Sequence, residues 1–243
     1  MANPNWNEFA TLGGFRGVLD PRDSDGRKNL LLDRIQWNCL KALMRKGDRV
    51  LDFGCGVGRF ASRISSLGIS YTGVDPYPMM VETAKKNNPG LTFLQAGAPP
   101  LPFGDGSFDM ILSCGVFLYL VNTPQAAPMV QEFSRLLGSK GRVVLLEQAS
   151  ASGQNSETAD RPATPSDYRS AFSASFSVKP DSRVRCGNLL PLSKFAIRTR
   201  MIPKAVFPLI VDLLARRETS TAQKLTEVEL SQVRYFDFLM EST

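Results

Sequence analysis

The stretch Arg49-Val50-Leu51-Asp52-Phe53-Gly54-Cys55-Gly56-Val57-Gly58-Arg59-Phe60 constrains the fold more than any other part of the chain. An apolar run ends in an acid, passes through small residues and becomes a helical pattern. That order predicts a strand, a glycine-rich turn and a helix N-terminus, the first crossover of an α/β nucleotide fold. A chain lacking Cβ atoms at Gly54, Gly56 and Gly58 can turn tightly and let a ligand lie against its backbone. The free N–H groups opening the next helix favour an anion such as a carboxylate or phosphate. A dinucleotide fingerprint, G-x-G-x-x-G/A, needs a small residue where this chain has Arg59, which is too bulky for close helix–strand packing.

The following segments extend the pattern. Ser70–Asp75 reads as a second strand ending in an acid, about twenty residues beyond the glycines, where a carboxylate accepts hydrogen bonds from two ribose hydroxyls. Pro76 and Met80 are placed to flank an adenine ring. Leu91–Gln95 is a third strand and Met110–Gly115 a buried fourth; Val143–Glu147 ends a helix–turn–strand unit. The helices expected between them cover Phe60–Leu67, Met79–Asn87 and Ala127–Leu137, after an amphipathic helix over 27–46 closed by Gly47.

Taken in order, D-x-G-x-G-x-G at Asp52–Gly58, the acid Asp75, Leu101-Pro102-Phe103-Gly104-Asp105-Gly106-Ser107-Phe108-Asp109 and the Arg135–Glu147 ending resemble the class I S-adenosylmethionine-dependent methyltransferases, specifically a subgroup with an LPF-x-D-x-SFD signature. The resemblance covers about residues 45–150. It implies a Rossmann-like α/β fold with a seven-stranded, mostly parallel sheet and helices on both faces. It implies S-adenosylmethionine as cofactor, held by Asp52, Gly54, Cys55, Gly56, Gly58, Asp75, Pro76, Met80, Ala98 and Cys114. The family commonly carries an acid after the third strand that reaches the adenine amino group. Gly97 stands there instead, leaving the backbone N–H of Ala98 as donor to the ring.

Three parts are expected: an arm and helix over 1–46, a cofactor-binding core over 47–150 and an acceptor-binding part over 151–243. Ala149–Pro165 reads as a mobile loop, and Asp167–Phe172 as a short helix. Strand six is placed between Phe176 and Cys186, and the last strand over Val233–Met240. Residues 187–230, between these strands, are too long and apolar for a hairpin turn. They are read as a helical insertion forming a lid over the acceptor, with a packing layer or a dimer interface as the alternative.

Histidine, the commonest general base near neutral pH, is absent. Glu147, at the end of the fifth strand, and Tyr119, after the fourth, are the candidate catalytic residues; Tyr168, Arg169 and Lys28 are candidates for holding the acceptor. Cys39, Cys55, Cys114 and Cys186 are scattered without C-x-x-C, so neither a disulfide framework nor a metal site is expected. No apolar run reaches the length of a membrane span, and Met1–Glu8 lacks the order of a secretory signal, so a cytoplasmic setting is expected. The net charge of +6 suits a basic surface or an anionic acceptor such as a nucleotide-sugar. A nucleic-acid partner is not expected, because the fourth strand is followed by no N/D-P-P-Y/F. The reading is methyl transfer to a hydroxyl of a sugar or other small metabolite. N-methylation of an amine or amino sugar, and a non-catalytic partner protein of the same fold, are the alternatives.

Overall fold

The computed structural model describes residues 5–150, 163–179, 182–186, 189–199, 202–224 and 236–243. Along the chain run α1 (Trp6–Thr11), α2 (Arg27–Lys41), β1 (Arg49–Phe53), α3 (Ala61–Ser65), β2 (Ser70–Asp75), α4 (Pro78–Asn87) and β3 (Thr92–Gln95). Then follow β4 (Phe108–Cys114), α5 (Ala126–Leu136), β5 (Leu137–Ala149), α6 (Pro165–Ser173), β6 (Ser182–Cys186), α7 (Pro191–Arg198), α8 (Phe207–Lys224) and β7 (Phe236–Ser242). Among the described residues the strands form one seven-stranded sheet in the order β3-β2-β1-β4-β5-β7-β6. The first five strands are parallel; β7 runs antiparallel to both β5 and β6. This is the expected mostly parallel α/β sheet.

Strand β1 is a near-continuous apolar run because helices cover both its faces, leaving Val50 to Phe53 all buried. Val50 joins a core cluster with Leu31, Ile35, Phe60 and Ile64 on one side. Leu51 and Phe53 face Phe133, Leu136 and Phe172 on the other. Strand order reverses at β1/β4, so the ends of β1, β2 and β4 open the crevice where open α/β sheets bind ligands.

Several boundaries differ from expectation. Helix α2 stops at Lys41, short of residue 46. The Leu43 carbonyl accepts from the buried Arg142 guanidinium at 2.8 Å, and the same Arg142 nitrogen reaches Asp48 at 2.7 Å. Strand β5 begins at Leu137, with the expected glycine turn absorbed into an irregularity between the Phe108↔Leu137 and Met110↔Arg142 pairs. The segment Leu101–Asp109 braces the sheet away from the crevice: Asp109 accepts from Arg49, Asp105 from Arg135, and the Leu101 N–H donates to Glu132 at 2.7 Å. Most of the expected Ala149–Pro165 loop, and Val233–Tyr235 of the expected last strand, lie outside the described residues.

The insertion is helical, but α8 packs against α2 and β6 and lies in the layer on that side of the sheet. Phe207, Val211 and Leu214 are buried there with Leu31 and Ile35, and neither α7 nor α8 contributes to the cavities described below. The described part of the insertion supplies a packing layer, with one apolar side of α8 consumed by α2, and Leu189 ahead of α7 lines the larger cavity described below.

Gly58 is required by space and by backbone. Its φ is +72°, and a Cβ there would lie 2.7 Å from Asn88 Nδ2 and 3.1 Å from the Phe93 ring. Asn88 is buried and uses that nitrogen to hold the Gly58 and Ala84 carbonyls. Gly58→Ala is expected to destabilise the fold by about 2–4 kcal/mol, from left-handed strain plus overpacking, in urea unfolding. A change below about 0.5 kcal/mol, the range of neutral surface substitutions, would contradict this account.

Candidate active site

At the end of β1 the chain turns back on itself, with the Gly54 and Cys55 N–H groups both donating to the Val74 carbonyl, at 2.8 and 2.9 Å. This draws the turn against the tip of β2, where Asp75 is only 6% exposed. One Asp75 oxygen accepts from the Gly56 N–H and the other from the Tyr77 N–H, each at 3.0 Å. Burial raises the Asp75 pKa, and the two backbone donors oppose that rise.

A cavity of about 170 Å³ opens above this turn. Gly54, Gly56 and Asp75 form its floor; Pro76, Tyr77, Met80 and Gly97 form one wall. Cys114, Gly115, Val116 and Tyr119 form the other. Gly97, where the family pattern has an acid, presses on Pro76: a Cβ there would lie 2.7 Å from the proline Cβ. The missing acid thus coincides with a close approach that leaves no room for a side chain.

Four expected cofactor residues sit elsewhere. Asp52 is buried beneath the turn and accepts from the Tyr71 hydroxyl at 2.7 Å; burial pushes its pKa up to about 6, against that bond and the nearby Arg59. Cys55 is buried with its sulfur against Gly73, and Gly58 packs on Asn88 and Phe93. Ala98 is exposed and outside the lining. Cys114 does line the cavity. Arg59, stacked on Phe60 at 3.9 Å and paired with Asp33 at 3.1 Å, donates to its sulfur at 3.3 Å. Burial nonetheless pushes the Cys114 thiol up to about 12, so it stays protonated at neutral pH.

The cavity's roof comes from the arm. Helix α1 packs on α4, Trp6 meets Tyr119 edge-on at 6.0 Å between centroids, and Val18 stands over Gly56. Neither Trp6 nor Val18 was anticipated; Trp6, Phe9 and Ala10 at helical spacing were the available signal. Tyr119 is therefore placed in the roofed cavity. Burial raises its pKa, and the Glu147 carboxylate adds to the rise.

A second cavity, about 400 Å³, adjoins the first through Val18 and Gly115. Its walls carry Asp20, Lys28 and Gln36 from the arm and α2, Glu147 and Gln148 from β5, and the pair Arg185–Asp237. Arg185 and Asp237 are register partners across β6 and β7, joined by two hydrogen bonds of 2.9 and 3.2 Å. Lys28 is held by Asp20. Of the remaining acceptor candidates, Tyr168 is core: fully buried against Phe238, it donates to the Gln148 carbonyl at 3.0 Å. Arg169 is exposed and lines neither cavity.

Glu147 is 1% exposed. Its Oε1 accepts from Ser113 Oγ at 2.9 Å, Val116 N at 3.2 Å and Phe117 N at 2.9 Å. Its Oε2 receives a single long contact, 3.3 Å from Leu118 N. Burial outweighs these donors and raises its pKa to about 7. One oxygen thus fixes the loop between the two cavities, and the other keeps capacity to accept a proton.

Comparison with known proteins agrees with this fold. A family profile described as "Methyltransferase domain" matches residues 50–141. Demethylmenaquinone methyltransferase of Beutenbergia cavernae is 35% identical over 104 residues, covering 42% of this chain and 42% of that protein. The uncharacterized methyltransferase YodH of Bacillus subtilis is 35% identical over 113 residues, 45% of this chain and 47% of its own. The chain spans less than half the length of these curated relatives. Among solved structures, the geranyl diphosphate C-methyltransferase of Streptomyces coelicolor A3(2) superposes with a TM-score of 0.62 at 15% identity, covering 100% of this chain and 99% of that one, which shows the shared fold. Residues 50–141 therefore carry a methyltransferase domain, set within a fold that the chain shares with solved methyltransferases.

Proposed function

We propose that the chain transfers a methyl group from S-adenosylmethionine to a hydroxyl of a small polar acceptor such as a sugar. The observation that carries the hydroxyl reading is Glu147: a carboxylate with one tethered and one lightly engaged oxygen, its pKa near 7, in the wall of the polar cavity beside the glycine turn. A general base works best with a pKa near the operating pH.

The residues of the first cavity fit the cofactor. Asp75 offers its remaining lone pairs to a ribose diol, Pro76 and Met80 flank an adenine, and the cradle beside Gly97 admits a flat ring because no side chain stands there. Gly54, Gly56, Cys114 and Gly115 line the end left for the methionine part. At about 170 Å³ the cavity is below the ~300–1,000 Å³ of ordinary small-molecule sites, so Trp6 and Val18 shift outward when the nucleoside enters. When bound, S-adenosylmethionine supplies an electrophilic methyl group on a sulfonium. The protein then aligns the acceptor, excludes water and takes the acceptor's proton on Glu147 Oε2.

The larger cavity pairs Lys28 with Asp20 and Arg185 with Asp237, and leaves the amide of Gln148 and the NH₂ of Gln36, whose Oε1 accepts from Arg59, to meet a ligand. Paired charges and amides suit a neutral, hydroxylated acceptor. Calorimetric titration with S-adenosylmethionine, S-adenosylhomocysteine and NADH, followed by transfer of labelled methyl to sugars and amino sugars, tests the reading. Binding of the two sulfur ligands in the micromolar range, no binding of NADH, and label on hydroxyls are expected. Label confined to amines would replace the hydroxyl reading, and failure of both sulfur ligands to bind would overturn the enzyme itself.

A further inference from the structure

Helix α8 is apolar on two opposite sides. Phe207, Val211, Leu214 and Ala215 are buried toward α2 and β6. A surface helix ordinarily has one such stripe. Here a second points outward, with Leu209 79% and Leu213 69% exposed. Val206 precedes it, and Leu192 and Phe195, one helical turn apart on α7, are also exposed. Ala196 of α7 shares a core cluster with Phe207, Val211 and Leu214, so the outer faces of both helices look out from the same layer.

Positive charge accompanies these apolar residues. Arg216 and Arg217 continue the Leu209–Leu213 stripe two turns on, and both are exposed. Lys194 and Arg198 lie on α7, and Lys204 between the helices. None of these five cations has an ion pair among the described residues. The acids of the same stretch are engaged: Asp212 with Arg34 at 2.6 Å, and Glu218 buried, accepting from the Leu190 N–H at 2.9 Å.

We propose that the outer face of α7 and α8 docks on an anionic lipid bilayer, with Leu209, Leu213 and Phe195 entering the headgroup boundary and the lysines and arginines meeting lipid phosphates. Protruding leucines need no complementary pocket in a fluid surface, and the charge matches anionic headgroups. A second copy fits less well, because a twofold interface sets the same patch against itself and brings these cations together. No described helix is long and apolar enough to cross a membrane, so the contact is peripheral.

Flotation of the full chain with vesicles of phosphatidylcholine, or phosphatidylcholine containing one-third phosphatidylglycerol, tests this. Cofloatation with the anionic vesicles alone, weakened by salt, is expected. L209S/L213S and R216Q/R217Q should each lose about tenfold or more in bound fraction while keeping the thermal melt and S-adenosylhomocysteine affinity of the native chain. Absence of cofloatation, or equal cofloatation with neutral vesicles, would overturn the proposal. So would a native dimer that L209S/L213S turns into a monomer, which assigns the face to a second copy. Retention of polyglutamate without vesicle binding would likewise overturn it in favour of an acidic protein.

Discussion

Replacing Asp75 with alanine is expected to weaken S-adenosylhomocysteine binding by roughly 100- to 10,000-fold, from the loss of two hydrogen bonds to a charged group worth about 1.5–3 kcal/mol each. The carboxylate sits at the tip of β2 with each oxygen already accepting one backbone N–H, from Gly56 and from Tyr77. Those two bonds orient it, so its remaining lone pairs need no reorganisation to meet a ribose diol. The substitution removes the ligand contact and also frees two N–H groups that shape the glycine turn. Asp75→Asn retains one carbonyl oxygen and should fall between the native chain and the alanine variant.

The pH dependence has a definite sign. Burial raises the Asp75 pKa, whereas ribose hydroxyls favour the ionised carboxylate and draw it back down. Ligand affinity should therefore fall on acidification through the free protein's Asp75 pKa, and this dependence should vanish in Asp75→Ala. Calorimetry on the three proteins, with circular dichroism to establish folding, reads both effects. Affinity unchanged within about threefold, well short of a single charged hydrogen bond, would remove Asp75 from the cofactor site.

That Asp75, Gly54, Gly56, Pro76 and Met80 lie around one cavity was legible in the sequence because each belongs to a short-range rule: a turn, a strand tip, the start of a helix. Their neighbours in the same motif were not separable by such rules. Asp52, Cys55 and Gly58 lie within a few residues of the lining, yet the turn faces them inward, to Tyr71, Gly73 and Asn88. Tyr168 looks like an acceptor-facing phenol until its ring is found in the second core cluster and its hydroxyl on a β5 carbonyl. Arg185 and Asp237 lie 52 residues apart, and only antiparallel pairing of β6 with β7 places them together. Trp6 and Val18 come from the arm, where a short helix roofing a cavity has too few residues for its periodicity to stand out. The place of the insertion was hidden for a related reason: apolar content marks a helix for burial without saying which neighbour buries it.

Glu147→Gln is expected to lower turnover by about 100- to 10,000-fold, the range of a lost general base, while leaving S-adenosylhomocysteine affinity within about twofold. The amide separates the two duties of this side chain. Its carbonyl oxygen takes the place of Oε1 and keeps the three donors from Ser113, Val116 and Phe117. Its NH₂ takes the place of Oε2 and accepts no proton. Glu147→Ala should behave differently, because three backbone N–H groups and a hydroxyl lose their acceptor. That variant is expected to lose about 3–5 kcal/mol of stability and, through the loop 115–118, ligand affinity as well. Two further readings follow from a folded pKa near 7 against an ordinary value of 4.5. Turnover of the native enzyme should rise with pH through about 7 as Glu147 ionises, and that limb should flatten in Glu147→Gln. Stability runs the other way: the folded state holds a proton that the unfolded chain releases, so this contribution is complete below about 4.5 and lost as pH rises to about 7. Glu147→Gln removes the slope from the denaturation profile across that window. A Gln variant that turns over at the native rate with the native pH profile would leave Glu147 as a loop anchor alone and return the proton to the acceptor, as an amine would require.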